Sequence, residues 1–276
     1  MQTLVDVLPY LRCPSCGAAF GGTGHAVRCS AGHSFDVARQ GYVNLLPGHV
    51  RHTGDSAAMV DARAAFLGAG HYRFVLDALV ELARAHDNGL LVDVGGGTGY
   101  HLAGLLDALP AASGLVLDAS KAAARRAARA HPRAAAAVCD AWSRLPLVDG
   151  CAALVANVFA PRNGPEFHRL LRPDGVLLSV TPEPAHLAEL VSALDLLQVD
   201  PAKPDRLAAS LSEFTPIEEV PLSRPLSLSH ADVATLVTMT PSARHQAPSA
   251  LANAVNALPA PVTVTAAVRV TAYRPR

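Results

Sequence analysis

"GLLVDVGGGTGYHLAGLL", residues 89 to 106, runs from an unbroken apolar strand through a glycine-rich turn into an amphipathic helix. Gly95, Gly97 and Gly99 give the pattern G-x-G-x-G. Glycine lets the backbone pass close to a ligand, and the helix start behind the turn offers unpaired N–H groups. Taken alone, the triad fits a nucleotide-type cofactor or a plain tight turn.

The strands that follow narrow the choice. "GLVLDAS" ends in Asp118, about 20 residues past the glycines, where a carboxylate can accept from ribose hydroxyls. "AAAVCDAW" sets Asp140 at the end of a third strand, and "CAALVANVFAP" reads as a fourth. "RLLRPDGVLLSVTP" joins a helix to a fifth through Pro173 and Gly175. Strands alternating with helices imply an α/β fold with a parallel, doubly wound sheet and a site at the strands' carboxyl ends. After Leu187 we expect a helix to about Val199, a Pro-rich loop and a helix over "HADVATLVTMTP". A strictly alternating antiparallel strand from Val262 to Tyr273 then closes the sheet.

This layout resembles the class I (Rossmann-like) S-adenosylmethionine-dependent methyltransferases, to which "DVGGGTG" is closer than to the dinucleotide fingerprint. The resemblance implies that Gly95 and the glycine turn hold the cofactor and that Asp140 lies at its adenine. The other reading of Asp140 is a simple turn residue.

Bulk properties set the outer limits. A chain of 276 residues suffices for one large domain and a small one, and with half its residues hydrophobic and 17% charged it is globular. The first residues carry no secretion signal and no apolar run is long enough to span a membrane, so a cytoplasmic location is expected. Twenty-three basic residues against 23 acidic ones exclude a uniformly basic nucleic-acid binder. Nearly all the positive charge is arginine, which suits phosphate or base contacts and also follows from GC-rich coding. Five cysteines argue against a disulfide framework.

Three of those cysteines open the chain. Cys13-x2-Cys16 and Cys29-x3-His33 have the spacing of a Cys3His zinc site built from two knuckles, with Pro14, Gly17 and Gly32 making the tight turns. "HAVRCS" between them reads as a short strand pairing with the segment before Cys13. Four protein ligands leave no open position, so the zinc is structural. It permits a folded unit too small for an apolar core. His25 is a rival fourth ligand, though its spacing to Cys29 makes no tight knuckle. We divide the chain into a zinc-binding RNA-recognition domain (1–38), a linker and helical segment (39–70) and a methyltransferase domain (71–276).

With "GHSFDVARQGYVNLL", "GDSAAMVDARAAFLGAGHY", "NVFAPRN", "TPEPAHL" and "MTP" following in order, the whole chain resembles the bacterial 23S rRNA guanine-N1 methyltransferases. It is most similar to the branch that confers macrolide resistance. The resemblance implies cofactor contacts from Tyr72, Gly97, Thr98 and His186. Read bare, Tyr72 is a helix-face anchor and His186 a neighbour of a helix start. It also implies that Asn157 bonds the guanine edge and Phe159 stacks on the base. The substrate would be a hairpin loop (hairpin 35) in domain II of 23S rRNA, bound by a homodimer whose two zinc units frame one RNA cleft. The zinc unit, Arg39 and Arg51 are candidates for gripping it, and their plain reading is solvated surface. Where the family often has aromatic residues after "MTP", this chain has Ser242 and Arg244. Two rival readings are a zinc-containing binding or regulatory protein without catalysis and a methyltransferase of an antibiotic or other small molecule.

Overall fold

In the computed structural model, which describes residues 2–22, 24–46, 54–86, 88–196, 209–240, 242 and 248–276, the chain builds on one eight-stranded sheet. Ahead of that sheet come α1 (Gln2–Val7) and three short strands, β1 (Phe20–Gly21), β2 (Ala26–Cys29) and β3 (Ser34–Asp36). The tract between the zinc motif and the glycine turn then gives β4 (Val43–Asn44), α2 (Ala57–Gly68) and α3 (Arg73–Ala83). From there strands and helices alternate: β5 (Asn88–Val94), α4 (Tyr100–Ala108), β6 (Ala111–Asp118), α5 (Lys121–Ala127), β7 (Ala134–Val138), β8 (Ala152–Val158), α6 (Gly164–Leu170) and β9 (Leu171–Pro182). The remainder is α7 (Ala188–Leu194), β10 (Phe214–Leu228), α8 (His230–Thr238), α9 (Pro248–Asn256) and β11 (Val262–Pro275).

The sheet runs β10-β11-β9-β8-β5-β6-β7-β4, parallel from β9 to β4 and antiparallel at β9-β11 and β11-β10. This is the doubly wound arrangement expected from the alternating strands. Side chains along each strand alternate between the two faces. Leu91, Val116, Ala136 and Leu154 face α2–α5 and α7–α9, while Leu90, Val92, Leu115, Ala137 and Val155 face α1 and α6.

Among the described residues no helix joins β7 to β8. The space a crossover helix would cover is filled by the start of the chain: Leu4, Val7, Leu8 and Leu11 join one apolar cluster with Leu115 of β6 and Ala135 and Ala137 of β7. Arg12 N–H donates to the Pro146 carbonyl at 2.8 Å, and Val148 N–H donates to the Tyr10 carbonyl at 2.9 Å. Phe20, Val27, Cys13 and Cys29 of the metal knuckles belong to the same apolar cluster. At the sheet's far edge Val43–Asn44 pairs parallel to Ala137–Val138. Packing thus runs across the expected boundaries at 38 and 70.

Four local expectations need correction. The strand at "AVRC" pairs with Phe20–Gly21 and with Ser34–Asp36, not with the segment before Cys13, which instead bridges to Ala19. The helix after Leu187 stops at Leu194, where Asp195 turns left-handed (φ 49). A 15-residue strand, β10, begins at Phe214 where a loop was expected. Its Pro216, Pro221 and Pro225 argue against a strand, yet an edge strand tolerates missing N–H donors, and β10 is an edge. β11 does not strictly alternate, because it lies inside the sheet and is covered on both faces over Ala266–Val268 and Val270–Ala272. The Pro-rich stretch before residue 209 lies outside the described residues, as do Arg51 and Arg244. No described helix is long and apolar enough to cross a membrane.

If the chain start is part of the sheet's core, Leu11→Ala (wild-type side chain fully buried) should lower the stability of the whole protein by about 2–5 kcal/mol. Urea unfolding followed by circular dichroism measures this. An unchanged midpoint would mean that the sheet does not depend on this segment.

Candidate cofactor and metal sites

Two sites emerge from this fold. In the first, the Sγ atoms of Cys13, Cys16 and Cys29 and the Nδ1 of His33 lie within 4.8 Å of one another. Cys16 and Cys29 sulfurs are 3.7 Å apart, and His33 Nδ1 stands 3.6 Å from Cys13 and 3.4 Å from Cys29. Zinc bonds of about 2.0–2.3 Å at tetrahedral angles require ligand separations of roughly 3.5–3.8 Å, so the donor set fits that ion. Gly17 (φ 73) and Gly32 (φ 86) turn the two knuckles in the left-handed region, each returning an N–H to the carbonyl of its knuckle's first cysteine. His25 takes no part in this cluster. Arg39, three residues past β3, is exposed.

The second site lies at the carboxyl ends of the parallel strands. Gly95, Gly97 and Gly99 all have positive φ (73, 56 and 78) as the chain turns from β5 into α4. Asp118, at the end of β6, accepts from Gly97 N–H at 2.9 Å and Ser120 N–H at 2.8 Å, which fixes its carboxylate beside the turn. Thr98 is buried there. A Cβ on Gly95 would lie 2.5 Å from Ala160, so the turn after β8 touches the glycine turn directly.

Asn157 makes that contact rigid. Fully buried, it donates through Nδ2 to the Val94 carbonyl at 3.2 Å and the Pro161 carbonyl at 2.9 Å. With the amide hydrogens engaged, Oδ1 is left as a buried acceptor without a hydrogen-bond partner. Phe159 follows in a left-handed conformation (φ 52) and is 41% exposed. Holding a non-glycine residue there costs on the order of 1 kcal/mol or more, and such strain gathers at functional sites.

Tyr72, Phe159 and His186 come together, although they lie far apart in the sequence. The rings of Phe159 and His186 stack at 5.9 Å and 29°, and Tyr72 Oη lies 3.3 Å from His186 Nε2. Burial raises the Tyr72 hydroxyl far above its ordinary value, so it stays protonated as a hydrogen-bonding group. The loop bearing His186 is laced to β11: Glu183 N–H donates to the Ala267 carbonyl at 3.0 Å and Leu187 N–H to the Thr265 carbonyl at 2.7 Å. Asp140 uses its carboxylate to close its own turn, accepting from Trp142 N–H at 3.0 Å and Ser143 Oγ at 3.2 Å.

Several site residues were not singled out from the sequence. Asp93, inside β5, is fully buried and neither carboxylate oxygen has a partner. Burial, reinforced by the Asp118 charge, pushes it up to about 7. A Cβ on Gly96 would lie 2.5 Å from its carboxylate, so Gly96 is as necessary as the triad around it. Unpartnered acid oxygens beside a glycine cradle fit a cationic cofactor such as the sulfonium that the sequence resemblance implies. An acid in the middle of "LLVDV" was the available signal. Gly54 passes so close to Ser120 that a Cβ would fall 2.6 Å from its backbone nitrogen. Arg63 of α2 binds the Asp55 carboxylate and donates to the Met239 carbonyl at 2.8 Å, joining the tract before α2 to the end of α8 beside Gly97.

Three comparisons bear on this geometry. The family model described as the RlmA N-terminal zinc ribbon matches residues 11–53. A Micromonospora griseorubida protein named for guanine-N(1) methylation of 23S rRNA is 55% identical, covering 98% of this chain and 99% of its own. The 23S rRNA (guanine(748)-N(1))-methyltransferase of Streptomyces fradiae is 50% identical, covering 98% of each. Among solved structures, the YcgJ protein of Bacillus subtilis has a TM-score of 0.51 at 15% identity, covering 74% of this chain and 99% of its own. A Bacillus halodurans protein named a methyltransferase also scores 0.51 at 15% identity, covering 72% of this chain and 97% of its own. The structural likenesses speak for the fold alone.

Two outcomes follow from the sites. Elemental analysis of the purified protein should find one zinc per chain, lost in Cys16→Ser; a metal-free wild type would refute the ligand assignment. The folded Asp93 value lies above the ordinary carboxyl value near about 4, so ionising it destabilises the free protein as pH rises from about 4 through 7. A bound cation favours the ionised form, so S-adenosylmethionine should bind roughly tenfold more tightly at pH 8 than at pH 6. Calorimetric titration should find that slope gone in Asp93→Asn. A flat wild-type profile would remove Asp93 from cofactor binding.

Proposed function

The chain belongs to the 23S rRNA (guanine-N1)-methyltransferase family, and from that premise we propose that it methylates a guanine in hairpin 35 of 23S rRNA domain II, conferring macrolide resistance. It is an S-adenosylmethionine-dependent class I methyltransferase with an N-terminal zinc unit. The finer reading of a single modified guanine is supported by the Streptomyces fradiae relative, which is named for one position, guanine 748.

The observation that carries the reading is the exposed Phe159 ring, held in a strained turn that touches the glycine cradle. Guanine N1 lies on the pairing edge and bears a proton, so the base must leave its helix and give up that proton. In this reading Phe159 receives the face of the extruded guanine. Asn157 holds the turn against β5 and keeps Oδ1 towards the pairing edge. The glycines at 95 and 97, Thr98, Asp118, Tyr72 and His186 hold the cofactor, with Asp140 ordering the turn at its adenine end. Bound there, S-adenosylmethionine supplies an already activated methyl group, and the protein's work is alignment and exclusion of water.

Residues 1–38 grip RNA in this proposal, residues 39–70 link the grip to the enzyme, and residues 71–276 catalyse. The exposed Arg39 meets phosphate, and a homodimer sets two zinc units around one hairpin in the cytoplasm.

Incubating the zinc-loaded protein with labelled cofactor and unmodified 23S rRNA should place the label in the RNA. Reverse transcription should stop at one domain II guanine, since an N1 methyl blocks pairing. Label appearing only in a small molecule, or nowhere, would overturn the proposal. Phe159→Ala should lower kcat/KM for RNA roughly 5- to 150-fold, the value of one lost base stack, with cofactor affinity kept.

A further inference from the structure

Trp142 is the chain's single tryptophan. At 55% exposure it is the most exposed large hydrophobic residue described. The turn that presents it, at the carboxyl end of β7, is held from several directions. Asp140 accepts from the backbone of Trp142 and the side chain of Ser143. Asn163, on the loop leading away from Phe159, donates through Nδ2 to the Ala141 carbonyl at 3.0 Å and the Ser143 carbonyl at 3.4 Å. The strand-end loop with Phe159 and the turn with Trp142 are therefore tied together.

The same segment anchors the zinc unit. Three residues past Trp142, Leu145 N–H donates to Glu166 at 2.7 Å, and Pro146 and Val148 make the backbone bonds to Arg12 and Tyr10. Beyond that contact the zinc unit carries Arg28 and Arg39, both exposed. An indole on a fixed turn, bonded through Asn163 to the loop of Phe159 and continuous with the segment that bonds Tyr10 and Arg12, is placed to meet the same substrate as Phe159.

We propose that Trp142 is a second stacking platform, which takes an unpaired base of the RNA substrate neighbouring the guanine on Phe159. This rests on the reading of the chain as an RNA methyltransferase and adds where a further nucleotide lies. A rigid aromatic face suits any base. The rival occupant is the cofactor's adenine, because Asp140 belongs to the same turn.

With one tryptophan, the intrinsic fluorescence of the zinc-loaded protein reports on this position alone. A hairpin oligonucleotide from 23S rRNA domain II should quench it, and S-adenosylmethionine alone should not. Trp142→Ala should weaken hairpin binding roughly 5- to 150-fold and leave cofactor affinity unchanged, while Trp142→Phe restores most of the loss. Quenching by the cofactor alone, with cofactor affinity lost in Trp142→Ala, would assign the indole to adenine and overturn the proposal. Emission unmoved by a hairpin that the same preparation methylates would also overturn it, leaving the methyltransferase reading intact. Failure of that reading shows separately, as absence of label from RNA.

Discussion

A parallel sheet must be covered on both faces, since its strands are apolar on each side. In this protein one crossover, from β7 to β8, runs without a helix among the described residues, and the cover is supplied by the chain's first dozen residues. Everything at the N-terminus follows from that substitution. Leu11 sits between the sheet and the metal knuckles, Arg12 and Tyr10 bond the β7–β8 loop, and Cys13 begins the zinc site immediately beyond. The metal unit is a continuation of the sheet's core, held at a fixed bearing to the strand ends.

The strand-end site is built on charge as much as on shape. Asp93 has no partner for either oxygen, and among the described residues Asp118 beside it accepts hydrogen bonds from the backbone N–H groups of Gly97 and Ser120. Arg63 lies nearby, committed to Asp55 and to the Met239 carbonyl. A fully buried carboxylate without a cation, as at Asp93, is unfavourable in a resting protein. A cationic cofactor seated beside the glycine turn would relieve that cost at Asp93, in the middle of β5.

The glycine turn and the order β5 to β9 were legible in the sequence because local pattern and tertiary role agree there. The metal ligands were legible for the same reason: spacing alone brings two knuckles together. β10 was not, since three prolines speak against a strand and only the finished sheet reveals that it is an edge. The pairing of β2 was misjudged because the bonds run to Phe20–Gly21, just past the first knuckle, and not to the segment before it. Tyr72 and His186 were expected at the cofactor through resemblance, but their meeting with Phe159 is a product of topology. Asn157 shows a different limit. Pattern marks it as polar at a strand end, and only packing shows both its hydrogens spent on the backbone.

β11 has a consequence for how the protein is made. It comes last in the chain among the strands of the sheet, yet it lies inside the sheet and carries the bonds that fix the loop of His186. Until those residues emerge, β9 has an open flank and the aromatic mouth has no back wall. A chain still being translated therefore lacks a finished mouth, whatever its glycine turn has already become. Synthesis must run past Ala267 before the loop of His186 can be fixed, and past Tyr273 before β9 is fully paired.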